Sequence, residues 1–247
     1  YNMIVSALYT FLNVFSNGLT AGFGEVISKK EDHILKESYS NFEYMYFIVF
    51  FIVCTCVAVL LLPFVKLYTM NVTDADYVRP LAAILFVAII FLQNVRIPGM
   101  TMICAAGHYK ETQPQAIREA VINLTISLLL VNKFKMLGVL LGTVCSYAYR
   151  STEIILYNRK YLVKGTGKTT LYRLIRNLLL MIIFSYIGYC RVAPRIHSFV
   201  QWFIGAVVIG SVSGIIILFV NFLCEPDQFK MLLNRVESVF KKDIITR

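Results

Sequence analysis

The sequence carries the stretch EYMYFIVFFIVCTCVAVLLLPFVK at residues 43–66, where no charged residue interrupts the 22 positions between Glu43 and Lys66. A helix rises about 1.5 Å per residue, so about 20 apolar residues cross the hydrocarbon layer of a bilayer. Six further stretches are comparably long and apolar. The seven predicted spans lie near residues 3–28, 43–66, 79–104, 114–132, 136–157, 172–191 and 197–223. Because each is too long and too uniformly apolar for an outer-membrane barrel strand, the sequence predicts an all-α, polytopic transmembrane helix bundle of about seven spans.

The composition excludes an ordinary soluble domain. Hydrophobic residues make up 58% of the 247 positions, charged residues make up 15%, and the mean hydropathy is +0.68. A soluble core of this size cannot enclose so much apolar surface. All six cysteines lie within or at the ends of spans, which is typical of small packing residues rather than of disulfides or metal sites.

The positions of the 24 lysines and arginines predict the orientation of the spans. Fifteen lie on one set of alternate loops and ends, six lie on the other set, and three lie inside spans. By the positive-inside rule the richer set faces the cytoplasm, which puts Tyr1 outside and Arg247 inside. The net charge of +10 therefore indicates topology and contact with anionic lipids at the cytoplasmic face, not a nucleic-acid partner.

Both ends of the chain carry a prediction of their own. Residues 225–247 place apolar residues at helical spacing among basic ones, which predicts a basic amphipathic cytoplasmic tail after the helical bundle of residues 1–224. The chain opens at Tyr1 with no signal peptide in view. An odd number of spans that starts outside favours a segment of a longer protein, with further helices before Tyr1.

Three arginines inside predicted spans are the strongest candidates for a site. Arg96, Arg118 and Arg150 fall in the third, fourth and fifth spans, toward their cytoplasmic halves. A charged side chain at the bilayer centre costs about 2.5–3.5 kcal/mol on insertion scales, so such residues usually face a cavity or a partner. Pro98 and Gly99 follow Arg96 closely and predict a hinge, because proline removes a helix hydrogen bond and glycine adds freedom.

The polar residues in the spans allow more than one interpretation. The arginines either line a cavity, or pair with Glu119 or Glu153 within the packed bundle, or extend their side chains to the membrane interface. Asn13 and Asn17 lie one helical turn apart on a shared face, so they either border a polar path or join helices by hydrogen bonds.

Four short segments carry a family resemblance. Arg96–Pro98, Ala105–Lys110, Arg118–Asn123 and Leu137–Thr143 resemble the C-terminal half of polysaccharide flippases, in the multidrug/oligosaccharidyl-lipid/polysaccharide exporter superfamily. The helix order and loop lengths over most of the chain are also similar to that half. One departure is Lys135, where a glycine is commoner in the family.

The resemblance implies a function and a partner set. Members of the family have two helical lobes around a central cavity and move lipid-linked sugars across the bacterial plasma membrane by alternating access. It implies that Arg96, Arg118 and Arg150 hold the pyrophosphate of a polyprenyl-linked oligosaccharide. It also implies an N-terminal lobe, in the same protein, as the partner of this chain. No cofactor and no covalent chemistry are implied.

Three alternative functions stay open at the level of sequence. A cation-coupled multidrug exporter of the same superfamily needs a carboxylate near the cavity centre, whereas the acids here lie toward the cytoplasmic ends of the spans. A membrane-embedded polysaccharide-synthesis enzyme needs catalytic groups in a loop, and Asp74, Asp76 and His197 form no recognisable constellation. A scaffold subunit of a synthesis complex needs no site at all.

Overall fold

The computed structural model describes residues 1–17, 19–29, 31–72 and 77–233, nearly all of them helical. The helices are α1 (Asn2–Asn17), α2 (Leu19–Ser28), α3 (Asp32–Tyr68), α4 (Pro80–Val95), α5 (Ile97–Ala105), α6 (Tyr109–Phe134), α7 (Met136–Tyr157), α8 (Gly167–Arg191) and α9 (Phe199–Cys224). A π-helical turn, Asn158–Leu162, follows α7, and a 3-10 turn, Ala193–Arg195, follows α8. The described ranges contain no strand, which confirms the all-α bundle.

Five helical segments are long and apolar enough to cross a membrane: Asp32–Tyr68, Pro80–Ala105, Tyr109–Phe134, Gly167–Arg195 and Phe199–Cys224. Helices α1 and α2, which meet at a bend of 46°, form a sixth if the pair is one span. The remaining predicted span, residues 136–157, corresponds to α7, which is 22 residues long and is not among these segments, because Arg150 and Glu153 make its second half polar. It packs against α6 and α4.

The structure changes several predicted boundaries. The first span consists of two helices rather than one, and the third is interrupted at Arg96 between α4 and α5. Residues 32–42, which precede the predicted second span, belong to α3 and not to a separate segment. With 37 residues α3 is about 55 Å long, well beyond the hydrocarbon thickness.

Helix α3 is the centre of the bundle. Phe50 and Phe51 are completely buried, and their rings lie 5.4 and 5.9 Å from that of Phe91 on α4. Tyr46 stacks on Phe50 at 5.9 Å. This aromatic layer joins α3 to α4, while other faces of α3 contact α8 and α9.

Helices α6 and α7 meet through small residues and a tight turn. A Cβ on Gly138 would lie 2.6 Å from the carbonyl oxygen of Leu130, so only glycine allows the two backbones to come this close. Asn123 of α6 donates to Ser146 of α7 at 3.2 Å. In the turn between them Lys135 has a φ of 51°, a left-handed conformation that favours glycine.

The loops gather at two ends. One end, which we call the basic end, holds residues 29 and 31, the connections at 106–108 and 158–166 and the start of the tail at 225. The opposite end holds residues 69–72, 77–79, 135 and 192–198 together with Tyr1, whose ring stacks on Phe86 at 4.7 Å. This is the alternation that the sequence predicts, while the assignment of the basic end to the cytoplasm stays a prediction.

The start of the tail packs on the bundle. Residues 226–233 are helical, Phe229 and Leu232 contact the hydrophobic core, and Phe229 meets Phe222 at 5.1 Å between ring centroids. The rest of the predicted amphipathic tail, residues 234–247, lies outside the described residues.

Candidate functional site

A polar cavity of about 340 Å³ lies beside the break between α4 and α5. Its lining is contributed by α1, α2, α4, α5, α6 and α7. The polar residues that line it are Tyr9, Asn13, Ser16, Asn17, Thr20, Gln93, Arg96, Thr101, Glu119 and Arg150. Cations, one acid and several neutral hydrogen-bonding groups therefore face one space within the predicted membrane layer.

The helix break that positions Arg96 is caused by Pro98. Proline has no N–H, so the carbonyl of Asn94, four residues earlier, loses its normal helical donor. The Tyr46 hydroxyl donates to that carbonyl at 2.9 Å and satisfies it. Because α4 ends at Val95 and α5 begins at Ile97, Arg96 sits at the junction with its side chain toward the cavity.

Gly99 belongs to the same junction but lies outside the cavity lining. A Cβ there would approach Ile154 Cγ2 to 2.6 Å and Asn158 Nδ2 to 2.9 Å. The Asn158 amide donates to the Gly99 carbonyl at 3.1 Å. A close contact with the end of α7 therefore explains this glycine, and movement at the Pro98–Gly99 hinge stays a prediction.

Glu119 connects the two arginines of the cavity. Its Oε1 accepts a hydrogen bond from Arg96 Nη1 at 2.9 Å, and its Oε2 lies 3.6 Å from Arg150 Nε. The three side chains are 18%, 20% and 6% exposed in the order Arg96, Glu119, Arg150. Pairing with Glu119 and lining a cavity, two alternatives for Arg96 in the sequence, thus occur together.

Each arginine also has contacts that do not involve Glu119. Arg150 Nη1 donates to Gln115 Oε1 at 2.9 Å and to the Thr112 carbonyl at 3.3 Å. The Arg96 guanidinium lies over the Tyr147 ring, 4.7 Å from its centroid. Both cations are therefore fixed in place by neutral groups as well as by the acid.

Arg118 is not brought to the cavity. It is exposed on the opposite face of α6 from the bundle, and its Nε donates to the Pro114 carbonyl of its own helix at 3.3 Å. Residue 119 faces inward and residue 118 does not because neighbouring residues on a helix point about 100° apart. The prediction of three cavity cations thus holds for two positions only.

Asn13 and Asn17 both border the cavity, as one of their two interpretations requires. Ser16 donates to the Asn13 carbonyl at 2.9 Å within α1. Among the described residues, neither asparagine makes a side-chain hydrogen bond to another helix. Ser16, Thr20 and Gln93 were not predicted, because isolated neutral polar residues in apolar spans carry no distinctive pattern.

A second charged cluster lies at the basic end, where α3, α8 and the end of α9 meet; we call it the buried charge network. It consists of Glu43, Arg173, Arg176 and Glu225. Arg173 Nη1 lies 3.2 Å from Glu43 Oε2, its Nη2 lies 2.6 Å from Glu225 Oε2, and Arg176 Nη2 lies 3.1 Å from Glu225 Oε1. Arg173 is 1% exposed and Glu43 is 2% exposed, so the charges are balanced and enclosed.

Neutral groups complete this network. Thr170 donates to Glu43 at 2.8 Å, and the Ser40 carbonyl accepts from Arg173 at 2.9 Å. Asn221 accepts from Arg176 and donates to Asn177 at 2.9 Å. Arg173 and Arg176 are among the fifteen cations that the sequence analysis assigns to the basic loops and ends. The signal that they turn inward was their separation by three residues, which puts them on one face of α8 beside Asn177.

The described residues contain no group of three His, Cys, Asp or Glu side chains that could hold a metal ion. His197 lies exposed at the opposite end, and Asp74 and Asp76 fall outside the described residues. What the cavity offers is two guanidinium groups, which bind phosphate oxygens, and amide and hydroxyl groups, which bind sugar hydroxyls.

The cavity, rather than a relative, is the basis for assigning a function. The resemblance to polysaccharide flippases rests on four short segments. Two of them reach the cavity, one through Arg96 and Ile97 and the other through Glu119. Comparisons of the chain with protein-family models, with curated proteins and with solved structures give no match.

Proposed function

We propose that this membrane protein forms a substrate-binding part of a transporter that flips polyprenyl-pyrophosphate-linked oligosaccharide across the bacterial plasma membrane, with its basic end in the cytoplasm. The observation that carries the proposal is the presence of Arg96 and Arg150 on one polar cavity within the membrane spans. The apolar helices support a membrane protein in general. The choice of substrate rests on the chemistry of the cavity and on the family resemblance.

The charges of the cavity suit an anion. Arg96 and Arg150 face Glu119, which leaves one net positive charge in a space enclosed largely by apolar helices. Guanidinium groups form charge-assisted, often bidentate hydrogen bonds with phosphate. A charge in a low-dielectric site interacts more strongly than in water, so a pyrophosphate gains more here than at the surface.

The neutral residues suit the sugar that follows the pyrophosphate. Asn13, Asn17, Thr20 and Gln93 present amide and hydroxyl groups to the same space. Such groups both donate and accept, as sugar hydroxyls do. Their number favours a carbohydrate-bearing substrate over a purely apolar drug.

The cation-coupled exporter is less well supported. Among the described residues that line the cavity, Glu119 is the one acid, and it already has an arginine on each of its oxygens. A carboxylate engaged in this way is not open to a sodium ion or a proton. Coupling through this residue would require it to separate from both arginines.

Binding of polyprenyl diphosphate to the full chain in detergent micelles tests the proposal. We expect the chain to bind polyprenyl diphosphate and not the uncharged polyprenol, by calorimetric titration. Arg96→Gln should weaken that binding at least about tenfold, since a hydrogen bond to a charged group contributes about 1.5–3 kcal/mol. Arg118→Gln is the matched control, because Arg118 is a nearby cation outside the cavity. Equal binding of both lipids, or equal losses in both variants, would contradict the proposal.

A further inference from the structure

The cavity contains a carboxylate where a phosphate would bind. Glu119 Oε1 and Oε2 face Arg96 and Arg150 at 2.9 and 3.6 Å, one oxygen toward each guanidinium. A phosphate oxygen bound by the same two arginines would need these positions. The acid and the substrate therefore compete for the same donors.

The arginines do not need Glu119 to stay in place. Arg150 is bound by Gln115 and by the Thr112 carbonyl, and Arg96 lies on the Tyr147 ring. If the carboxylate left, both guanidinium groups would keep a neutral partner while losing their anion. This arrangement suits exchange of one anion for another better than a permanent ion pair.

The helix that carries Glu119 has few other ties to the bundle. Helix α6 packs almost entirely on α7, and only 6% of its most apolar stretch is buried. The Glu119–Arg96 bond is therefore its direct polar link to the break between α4 and α5. Loss of this bond would release α6 from the break while its packing on α7 is kept.

We propose that Glu119 is a built-in competitor that occupies the phosphate-binding arginines when the cavity is empty and is displaced by the diphosphate of the substrate. This inference rests on the proposed function, since it deepens the description of the same site. The reason for such a residue is electrostatic, because two unpaired cations in a membrane cavity are costly and an internal anion stabilises them between substrates. Because the substrate must displace Glu119, its net affinity for the cavity is lower, which helps its release on the other side of the membrane.

Removal of the negative charge from Glu119 tests the inference. Glu119→Gln keeps the shape and an acceptor oxygen, and we expect it to bind polyprenyl diphosphate about tenfold more tightly than the wild type, the change that one charge-assisted hydrogen bond represents. Glu111→Gln is the control, because Glu111 is an exposed acid on the same helix outside the cavity lining. The gain should disappear when Arg96→Gln is added to Glu119→Gln.

Each result separates this inference from the proposed function. If the wild type binds polyprenyl diphosphate and Glu119→Gln binds equally or more weakly, Glu119 orients the arginines and the competitor model is wrong, while the proposed function stands. If neither protein binds it, both proposals fail. Tighter binding by Glu119→Gln of inorganic pyrophosphate alone supports competition but contradicts a lipid carrier. Glu119→Ala, a second uncharged variant, gives the same test if Glu119→Gln does not fold.

Discussion

Arg173→Met should destabilise the bundle more than any change to an exposed cation of the same helix. Arg173 is 1% exposed and contacts Glu43 at 3.2 Å, Glu225 at 2.6 Å and the Ser40 carbonyl at 2.9 Å. Methionine fills a similar volume but leaves Glu43, itself 2% exposed, with Thr170 and Tyr39 as its remaining partners. Glu225 keeps Arg176. The main cost is therefore the uncompensated charge of Glu43.

The size of the loss follows from the burial of the pair. Removal of one partner of a buried ion pair typically costs about 3–5 kcal/mol, a large part of the total stability of a domain. The single tryptophan, Trp202, provides the signal, because its indole N–H donates to the Leu60 carbonyl at 3.1 Å across the α3–α9 contact. Unfolding by SDS in mixed micelles, followed by Trp202 emission, should show the transition at a clearly lower SDS fraction for Arg173→Met.

The control and a double variant make the test specific. Lys168→Met changes an exposed lysine five residues earlier on α8 and should alter the free energy of unfolding by less than about 0.5 kcal/mol. Arg173→Met combined with Glu43→Gln should cost less than the two single changes added together, because the second change removes the unpaired charge. This account of the buried charge network would be refuted if Arg173→Met unfolded at the same SDS fraction as the wild type. It would also be refuted if the loss of stability in the double variant equalled the sum of the two single losses.

Two further predictions concern the α6–α7 turn and the orientation in the membrane. Lys135→Gly should raise the free energy of unfolding in the same SDS assay by about 1 kcal/mol, because glycine adopts a φ of 51° without the strain of a side chain. An unchanged or lower stability would show that the backbone at residue 135 is not strained. In a cysteine-free background, Met70→Cys at the opposite end should react with a membrane-impermeant maleimide on intact cells, and Lys164→Cys at the basic end should react only after lysis; the reverse pattern would invert the predicted topology.

The fold was largely predictable because apolar length is a strong signal. Seven apolar stretches and alternating basic loops predict the order of the helices and the two ends on which their connections lie. The interruptions within the helices were harder to predict from the sequence. Pro98 pointed to the interruption at Arg96, whereas the turn dipeptide Asn17-Gly18, at the separation of α1 from α2, was missed within a long apolar stretch. The inclusion of residues 32–42 in α3 was also missed, because charged residues at the end of a span are equally compatible with a surface segment.

The site was only partly predictable, since the position of an arginine along a span does not fix the direction of its side chain. Arg118 and Arg150 looked equivalent in the sequence, yet α6 turns Arg118 outward and α7 turns Arg150 toward Gln115 and the cavity. Arg173 shows the opposite difference between sequence and structure. Its sequence position assigns it to the basic loops and ends, yet its side chain is buried. Direction depends on which face of each helix is packed, and that is a property of the tertiary structure.

The two charged clusters differ in a way that assigns them different roles. In the buried charge network two arginines meet two glutamates, the charges cancel, and protein surrounds Arg173 and Glu43 almost completely. Such a group is complete without a ligand and fixes the packing of α3 on α8 and α9. At the cavity two arginines share one glutamate, a positive charge is left over, and the group borders open volume. An unbalanced cation beside open volume is stabilised by an anion that enters from outside. We therefore expect a ligand to change the energy of the protein at the cavity and not at the buried charge network.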